Sequence, residues 1–139
     1  MLIKQARLNC EIAQRDIGKN RTSTVLRVEG GIDLNTTGDL RDGIRRCLAL
    51  ESLALLIVDM RHATHIDSSG IGVLLEGLRN ATQQHVRFVL CCMPPTVWHV
   101  FQRTRLDLLF DIRRTFEEEL FEVEVGSRDR PAFVNAPWN

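Results

Sequence analysis

The stretch that decides the fold runs Leu53-Ala54-Leu55-Leu56-Ile57-Val58-Asp59-Met60 and then, past a polar segment at 61–65, Ile66-Asp67-Ser68-Ser69-Gly70-Ile71-Gly72-Val73-Leu74-Leu75. The first run is almost continuously apolar and short for a helix, which suits a strand buried on both faces. Residues 61–65 read as a polar turn. Beyond Gly70, Ile71, Leu74, Leu75 and Leu78 fall on one helical face. A strand, a turn and an amphipathic helix therefore follow one another, with Asp67 and Ser68 at the junction.

The flanks repeat the pattern. Upstream, Leu8, Cys10 and Ile12 alternate with polar residues, as on an outer strand. Residues 15–23 are polar, contain Gly18 and read as a loop. Residues 24–28 make a second strand ending at Gly30-Gly31-Ile32-Asp33. Residues 36–50 form a helix with Leu40, Ile44, Cys47 and Leu48 on one face, and Thr36 with Asp39 suggests a capping box. Downstream, residues 86–92 make another buried strand. Pro95 opens a third helix, where a missing N–H costs little, and Val97, Val100 and Phe101 line its apolar side. Residues 106–109 close it, 110–112 form a short last strand, and Thr115 with Glu118 caps a helix over 116–122. Residues 126–139 turn to Arg, Asp, Pro and Asn and read as a mobile tail, with Phe133 and Trp138 available to dock on a partner.

Strands alternating with helices predict an α/β domain over residues 1–125, with a mixed sheet of four to five strands and helices mainly on one face. The expected core is Leu40, Ile44, Leu55, Ile57, Leu74, Leu75, Leu78, Val89 and Phe101. The carboxyl ends of such strands gather at one edge, where α/β folds place their chemistry. Asp33, Asp59, Asp67 and Ser68 all sit at those ends. With 139 residues the chain is one domain long, and it needs no disulfide or metal to support its core.

Composition narrows the function. Eighteen Lys and Arg balance eighteen Asp and Glu, so there is no cationic surplus for nucleic acid or an anionic membrane. Tyrosine is absent and aromatics are 6%, too few for a base-stacking surface. No apolar run approaches the ~20 residues of a membrane span, and residues 1–15 carry no apolar signal segment. The four cysteines, Cys10, Cys47, Cys91 and Cys92, form no CxxC pair. They are expected to be reduced, in a cytoplasmic protein. Cys91 and Cys92 would point to opposite faces of a strand and read as structural.

Residues 55–60 and 65–75 together resemble the STAS domain family, and more closely its bacterial anti-sigma factor antagonists. The resemblance continues through Phe88-Val89-Leu90-Cys91, Val97, Val100-Phe101, Thr104-Arg105-Leu106-Asp107, Phe110-Asp111-Ile112 and Glu117-Glu118-Glu119-Leu120, with Gly31-Ile32-Asp33 matching the family's acidic turn. It covers roughly residues 8–122. It implies a regulator without enzymatic turnover and without a cofactor. Such a protein binds an anti-sigma factor that is also a Ser/Thr kinase and so releases a sigma factor. The kinase phosphorylates a serine at the start of the second helix and binding is lost; a serine phosphatase restores it. By position the acceptor is Ser68, with Asp33, Asp67, Ser69, Gly70, Val73 and Glu76 forming the switch region. A monomer or weak dimer is expected. The resemblance departs at Arg105, where similar proteins carry a glycine suited to a left-handed helix ending.

The setting explains why Ser68 suits a switch. It lies at or next to the N-cap of the second helix, where its hydroxyl can accept from unpaired backbone N–H groups. With Ile71, Leu74, Leu75 and Leu78 turned to the core, Ser69, Val73, Glu76 and Asn80 face outward, so Val73 is expected to be an exposed contact. Ser69, Thr36 and Thr37 are alternative acceptors. Asp67-Ser68-Ser69-Gly70 is also, read by itself, an ordinary helix cap, and Asp33 an ordinary turn residue. Two other classes compete. Asp59, His62, His65 and Asp67 are a candidate metal set, although His62-x-x-His65 lies off any helix and lacks the favoured spacings. His85 and His99 read as a loop and a helix residue. A STAS module that binds a nucleotide or serves a lipid or anion transporter complex would share the fold, but no glycine-rich phosphate loop supports a nucleotide.

Overall fold

The computed structural model describes residues 7–115. The helix expected at 116–122 and the tail at 126–139 lie outside them. Among the described residues the chain runs β1 (Asn9–Gly18), β2 (Arg21–Ile32), α1 (Thr37–Leu48), β3 (Leu53–Ile66), α2 (Ser68–Gln83), β4 (Arg87–Cys91), α3 (Pro95–Arg103), a single 3₁₀ turn (Leu106–Leu108) and β5 (Asp111–Arg113). The five strands form one sheet in chain order. β1 is antiparallel to β2, and β2 to β5 are mutually parallel. The mixed α/β sheet expected from the sequence is therefore present.

Strand alternation splits the apolar residues into two groups. Leu26, Val28, Leu56, Val58, Phe88 and Leu90 meet Leu40 and Ile44 of α1, Leu74 of α2, and Val97 and Phe101 of α3 in one core. Val25, Leu55, Ile57, Val89 and Cys91 form a second cluster on the other face, to which no described helix contributes. The three helices thus share one face. The Phe101 and Phe110 rings meet edge to face at 5.6 Å and fix α3 against the start of β5.

Two segments read as loops are strand. The loop expected at 15–23 is replaced by a hairpin in which β1 continues to Gly18 and β2 begins at Arg21. Lys19 and Asn20 turn the chain with φ of 55° and 58°, the double left-handed pair that matches strand twist in tight hairpins. The polar turn expected at 61–65 is the second half of β3. Glu29 pairs with His62, Gly30 with Ala63 and Gly31 with His65, with register shifts that absorb the irregularity. β4 accompanies β3 only as far as Asp59. Past that point β3 is hydrogen-bonded on one side, and its polar side chains face solvent.

The second helix is rotated from the expected face. Gly70, Ile71, Val73, Leu74, Gly77 and Ala81 are buried, while Leu75 and Leu78 are only half-buried at the margin of the core. Small residues set this rotation. A Cβ at Gly77 would lie 3.2 Å from Ile44 and 3.3 Å from Phe88, so the helix approaches α1 and β4 along its glycines. The expected capping box of α1 does not form, because the side chain of Thr36 makes no cap bond. Its hydroxyl donates instead to the Gly31 carbonyl at 2.7 Å, and Asp39 accepts from the Leu8 N–H at 3.1 Å.

Arg105 keeps the left-handed ending, at φ 63° and ψ 18°, so the departure from glycine leaves the corner's geometry in place. An L-residue there carries about 1–2 kcal/mol of strain, partly offset because glycine loses more chain entropy on folding. Arg105→Gly should therefore raise stability by about 0.5–1 kcal/mol in urea unfolding, with an unchanged m-value.

Candidate functional site

The parallel pairing of β2 and β3 brings Ile32 opposite Ile66, so the loops that leave both strands start side by side. The Asp67 N–H donates to the Ile32 carbonyl at 3.0 Å. Gly70 then packs against both strand ends. A Cβ there would lie 2.5 Å from Ile32 Cγ2, 2.9 Å from Ile66 Cγ1 and 3.2 Å from the Ile32 carbonyl oxygen. Glycine is required for the first turn of α2 to sit so low.

Asp67 is the N-cap. Its Oδ1 accepts from the Ser69 N–H at 3.0 Å, the Gly70 N–H at 3.1 Å and the Ser69 hydroxyl at 2.5 Å. The Ser69 hydroxyl, foremost, with the Gly70, Ser69 and Leu34 backbone N–H groups, holds the carboxyl below the usual carboxylate range against a smaller opposing effect of burial. Ser68 is the first helical residue and is exposed. Its hydroxyl takes no part in the cap, contrary to the expectation that it would accept from the free N–H groups. The labour is divided: Asp67 caps, Ser69 buttresses Asp67, and Ser68 projects outward.

The β2–α1 loop forms the facing wall. Asp33 Oδ1 accepts from the Asn35 N–H at 2.9 Å, and the Asp33 N–H donates to the Thr36 hydroxyl at 2.9 Å. His65 lies across Gly31, where any Cβ would strike the ring, and its Nε2 reaches Asp33 Oδ2 at 3.3 Å. Leu34, at the crest of this loop, is 77% exposed. Its signal in the sequence is an apolar side chain between Asp33 and Asn35, where turns carry polar residues, and hydrophobic periodicity does not register it. Thr36 is buried and hydrogen-bonded, which removes it as an acceptor. The Thr37 hydroxyl donates to the Leu34 carbonyl at 3.3 Å.

Asp33, Asp67, Ser68, Ser69 and Gly70 thus share one edge. Val73 does not join their surface: it is 3% exposed and belongs to the core, because α2 turns its glycine face inward. The outer side of α2 carries Gly72, Leu75, Glu76 and Arg79. Glu76 accepts from Arg41 Nε at 3.1 Å and faces Arg45 Nη2 at 3.6 Å, which ties α2 to α1.

The metal set Asp59, His62, His65 and Asp67 is not gathered. Among the described residues, the His, Cys, Asp and Glu side chains close enough to share an ion are Asp59, Cys91 and Cys92. Cys91 and Cys92 do not point apart as expected. Cys92 has φ 63°, which breaks the strand alternation and leaves the two sulfurs 3.2 Å apart and hydrogen-bonded. That bond, with a further one from Arg61, lowers the Cys92 thiol pKa, whereas burial raises that of Cys91. A concave basic surface lined by Lys19, Arg21, Ser52, His85 and Arg87 lies at the amino ends of the strands, away from Ser68.

The STAS domain model matches residues 14–119. The chain belongs to the STAS domain family. Solved structures share the fold. An anti-sigma factor antagonist from Mycobacterium paratuberculosis is 20% identical over 81% of this chain and 91% of its own, with a TM-score of 0.66. The anti-sigma factor antagonist SpoIIAA of Bacillus in its unphosphorylated form is 21% identical over 84% of this chain and 100% of its own, at 0.60. A sulfate transporter family protein from Wolinella succinogenes is 12% identical over 81% of this chain and 93% of its own, at 0.65. No helix among the described residues of this STAS chain is long and apolar enough to cross a membrane.

Substitutions separate these roles. Asp67→Ala should cost about 0.5–2 kcal/mol as a lost N-cap, whereas Ser68→Ala should leave urea stability within about 0.5 kcal/mol. Val73→Asp should cost about 3 kcal/mol or more by burying an unpaired carboxylate, and circular dichroism melts would register it as a folding defect.

Proposed function

We propose that this STAS domain is a phosphorylation-switched regulator that binds an anti-sigma factor with serine kinase activity and so frees a sigma factor, with Ser68 as the phosphoacceptor. The observation that carries the reading is the division of labour at the cap. Ser68 is exposed on the first turn of α2 while Asp67 and Ser69 hold the helix start. A kinase can therefore take the Ser68 hydroxyl without dismantling the cap. A family match over residues 14–119 and the fold shared with antagonists support the same reading.

The chemistry follows from charge. A phosphoserine adds about −1.5 to −2 charges at pH 7. The helix N-terminus favours that charge by roughly 0.3–1 kcal/mol, while Asp67 and Asp33 oppose it. The domain keeps its fold, and its edge becomes strongly acidic. A partner that seats a carboxylate or an apolar surface there is repelled until a serine phosphatase removes the group. Leu34 takes the anchoring role that Val73, being buried, cannot fill. Asp33, Asp67, Ser69 and Gly70 shape the surface around it, and Glu76 lies further along the outer side of α2. The reading involves no turnover by this chain, no cofactor and no direct contact with nucleic acid.

A module serving an anion transporter complex is the second reading, and the Wolinella fold relative fits it. It does not need an exposed serine at the helix start, so the fate of Ser68 separates the two. Incubation with ATP and the anti-sigma kinases of the source organism, followed by mass spectrometry, should place phosphate on Ser68. Ser68→Ala should bind the kinase and remain unlabelled, and Ser69→Ala should still be labelled. The Ser68 phosphoprotein should bind at least tenfold more weakly, a loss of about 1.4 kcal/mol or more, with an unchanged circular dichroism spectrum. Leu34→Asp should weaken kinase binding without lowering the melting temperature. Labelling of Ser68→Ala at the wild-type rate would sink the assignment, and unchanged affinity after phosphorylation would sink the switch.

A further inference from the structure

On the sheet face opposite the helices, cross-strand register sets Arg27 beside Asp59 and Asp59 beside Cys91. Asp59 is fully buried. Its Oδ1 accepts from the Arg61 N–H at 3.0 Å, whereas its Oδ2 accepts no hydrogen bond and has Arg27 Nε at 3.6 Å. A buried carboxylate oxygen without a hydrogen bond is costly, and a bound ion is one of the few things that account for it. The left-handed backbone at Cys92 turns its sulfur to the same side as that of Cys91. One ligand atom from each of Asp59, Cys91 and Cys92 lies within 4.8 Å of the others.

We propose that Asp59, Cys91 and Cys92 form a binding site for a thiophilic divalent cation of the zinc class. Two thiolates and a carboxylate are a zinc-type donor set, and a partly open site leaves a fourth position for water or another donor. The alternative use of neighbouring thiols is a disulfide, and the backbone opposes it. Cα atoms joined by a trans peptide are about 3.8 Å apart, below the roughly 4.4 Å lower limit of ordinary disulfides. Metal binding needs less movement. Tetrahedral zinc with Zn–S bonds of about 2.3 Å sets two sulfurs roughly 3.8 Å apart, so the pair at 3.2 Å opens slightly. Both thiols release their protons to solvent as the metal enters. The guanidinium groups of Arg27 and Arg61 are half-exposed and can swing outward. Arg61 Nη2, 3.6 Å from the Cys92 sulfur, is also placed to support the thiolate as an outer donor.

The test is a Cd²⁺ titration of the full, reduced chain, read by the thiolate-to-metal charge-transfer band in the ultraviolet. Wild type should bind stoichiometrically with that band. Cys92→Ser should lose about half of the band at saturation, and affinity should fall by more than the roughly 10–100-fold that outer partners of a metal site contribute. Asp59→Asn should keep the band and bind more weakly, while Cys10→Ser should match wild type. A second measurement needs no variant: Zn²⁺ should protect Cys92 of the wild-type chain from alkylation, mapped by mass spectrometry, and leave Cys10 labelled as before. No band in wild type, a band of undiminished intensity in Cys92→Ser, or labelling of Cys92 that Zn²⁺ does not slow would each overturn the site. None of these readouts involves Ser68 or a kinase.

Discussion

The close seat of α2 on the ends of β2 and β3 is the contact on which the rest of this domain depends. Two features make it. The Asp67 N–H closes onto the Ile32 carbonyl, and Gly70 offers no Cβ to hold the helix off Ile32 and Ile66. Any side chain at position 70 lifts the first turn, and overpacking of this kind costs about 1–3 kcal/mol. The consequence reaches beyond stability. The same seat sets Asp67 against the β2–α1 loop, where the Leu34 N–H joins the groups that hold its carboxylate. It also decides that Ser68, one position further on, has nowhere to point but outward.

Much of this was legible from residue pattern. The apolar runs near 53–60 and 86–92 stand out because a central parallel strand is buried on both faces. The stripe Leu40, Ile44, Cys47 and Leu48 reports α1 correctly, since large apolar residues carry its contact. The failures share a cause: hydrophobic pattern is silent where backbone or small residues carry the structure. Gly70 and Gly77 give no apolar signal and Ala81 a weak one, so the stripe Ile71, Leu74, Leu75 and Leu78 predicts a rotated face for α2 and puts Val73 outside. The hairpin at Lys19-Asn20 lacks the glycine that marks most such turns. Residues 61–65 lie in a strand held through its main chain, while the side chains of all but Ala63 stay wet. At Cys92 a single left-handed residue cancels the alternation that would have sent its sulfur the other way.

The two faces of the sheet are chemically unlike. The helix-covered face is a continuous apolar core. The other face carries Arg27, Asp59 and Cys91 in a line across β2, β3 and β4, next to Val25, Ile57 and Val89. A fully buried carboxylate is tolerated there because Arg27 and Arg61 stand at its border at 3.6 and 4.0 Å. Their guanidinium groups are half in solvent, so the attraction is partly screened and worth less than a sealed ion pair. Arg87 and Asp111, at 2.6 Å, join β4 to β5 more tightly. Burial opposes ionisation of Asp111, and its hydrogen bonds to Arg113 and Arg87 outweigh that burial and keep it charged.

The same economy of groups explains how a charge could be added at Ser68 without unfolding the domain. In many helices one residue both caps the end and carries the hydroxyl exposed there, and modifying it removes the cap. Here the cap belongs to a carboxylate that is already ionised and already held by three backbone N–H groups and a hydroxyl. A phosphate on Ser68 therefore displaces no existing bond. It meets the positive end of α2, which favours it, and the Asp67 and Asp33 carboxylates, which do not. At exposed positions each effect is about a kilocalorie per mole or less, because water and salt screen them. The two offset one another within the free domain. At an interface, where water is excluded, the same charges act at a lower dielectric and without counterions. The free energy of modification then falls on the complex, which is the arrangement a binding switch requires.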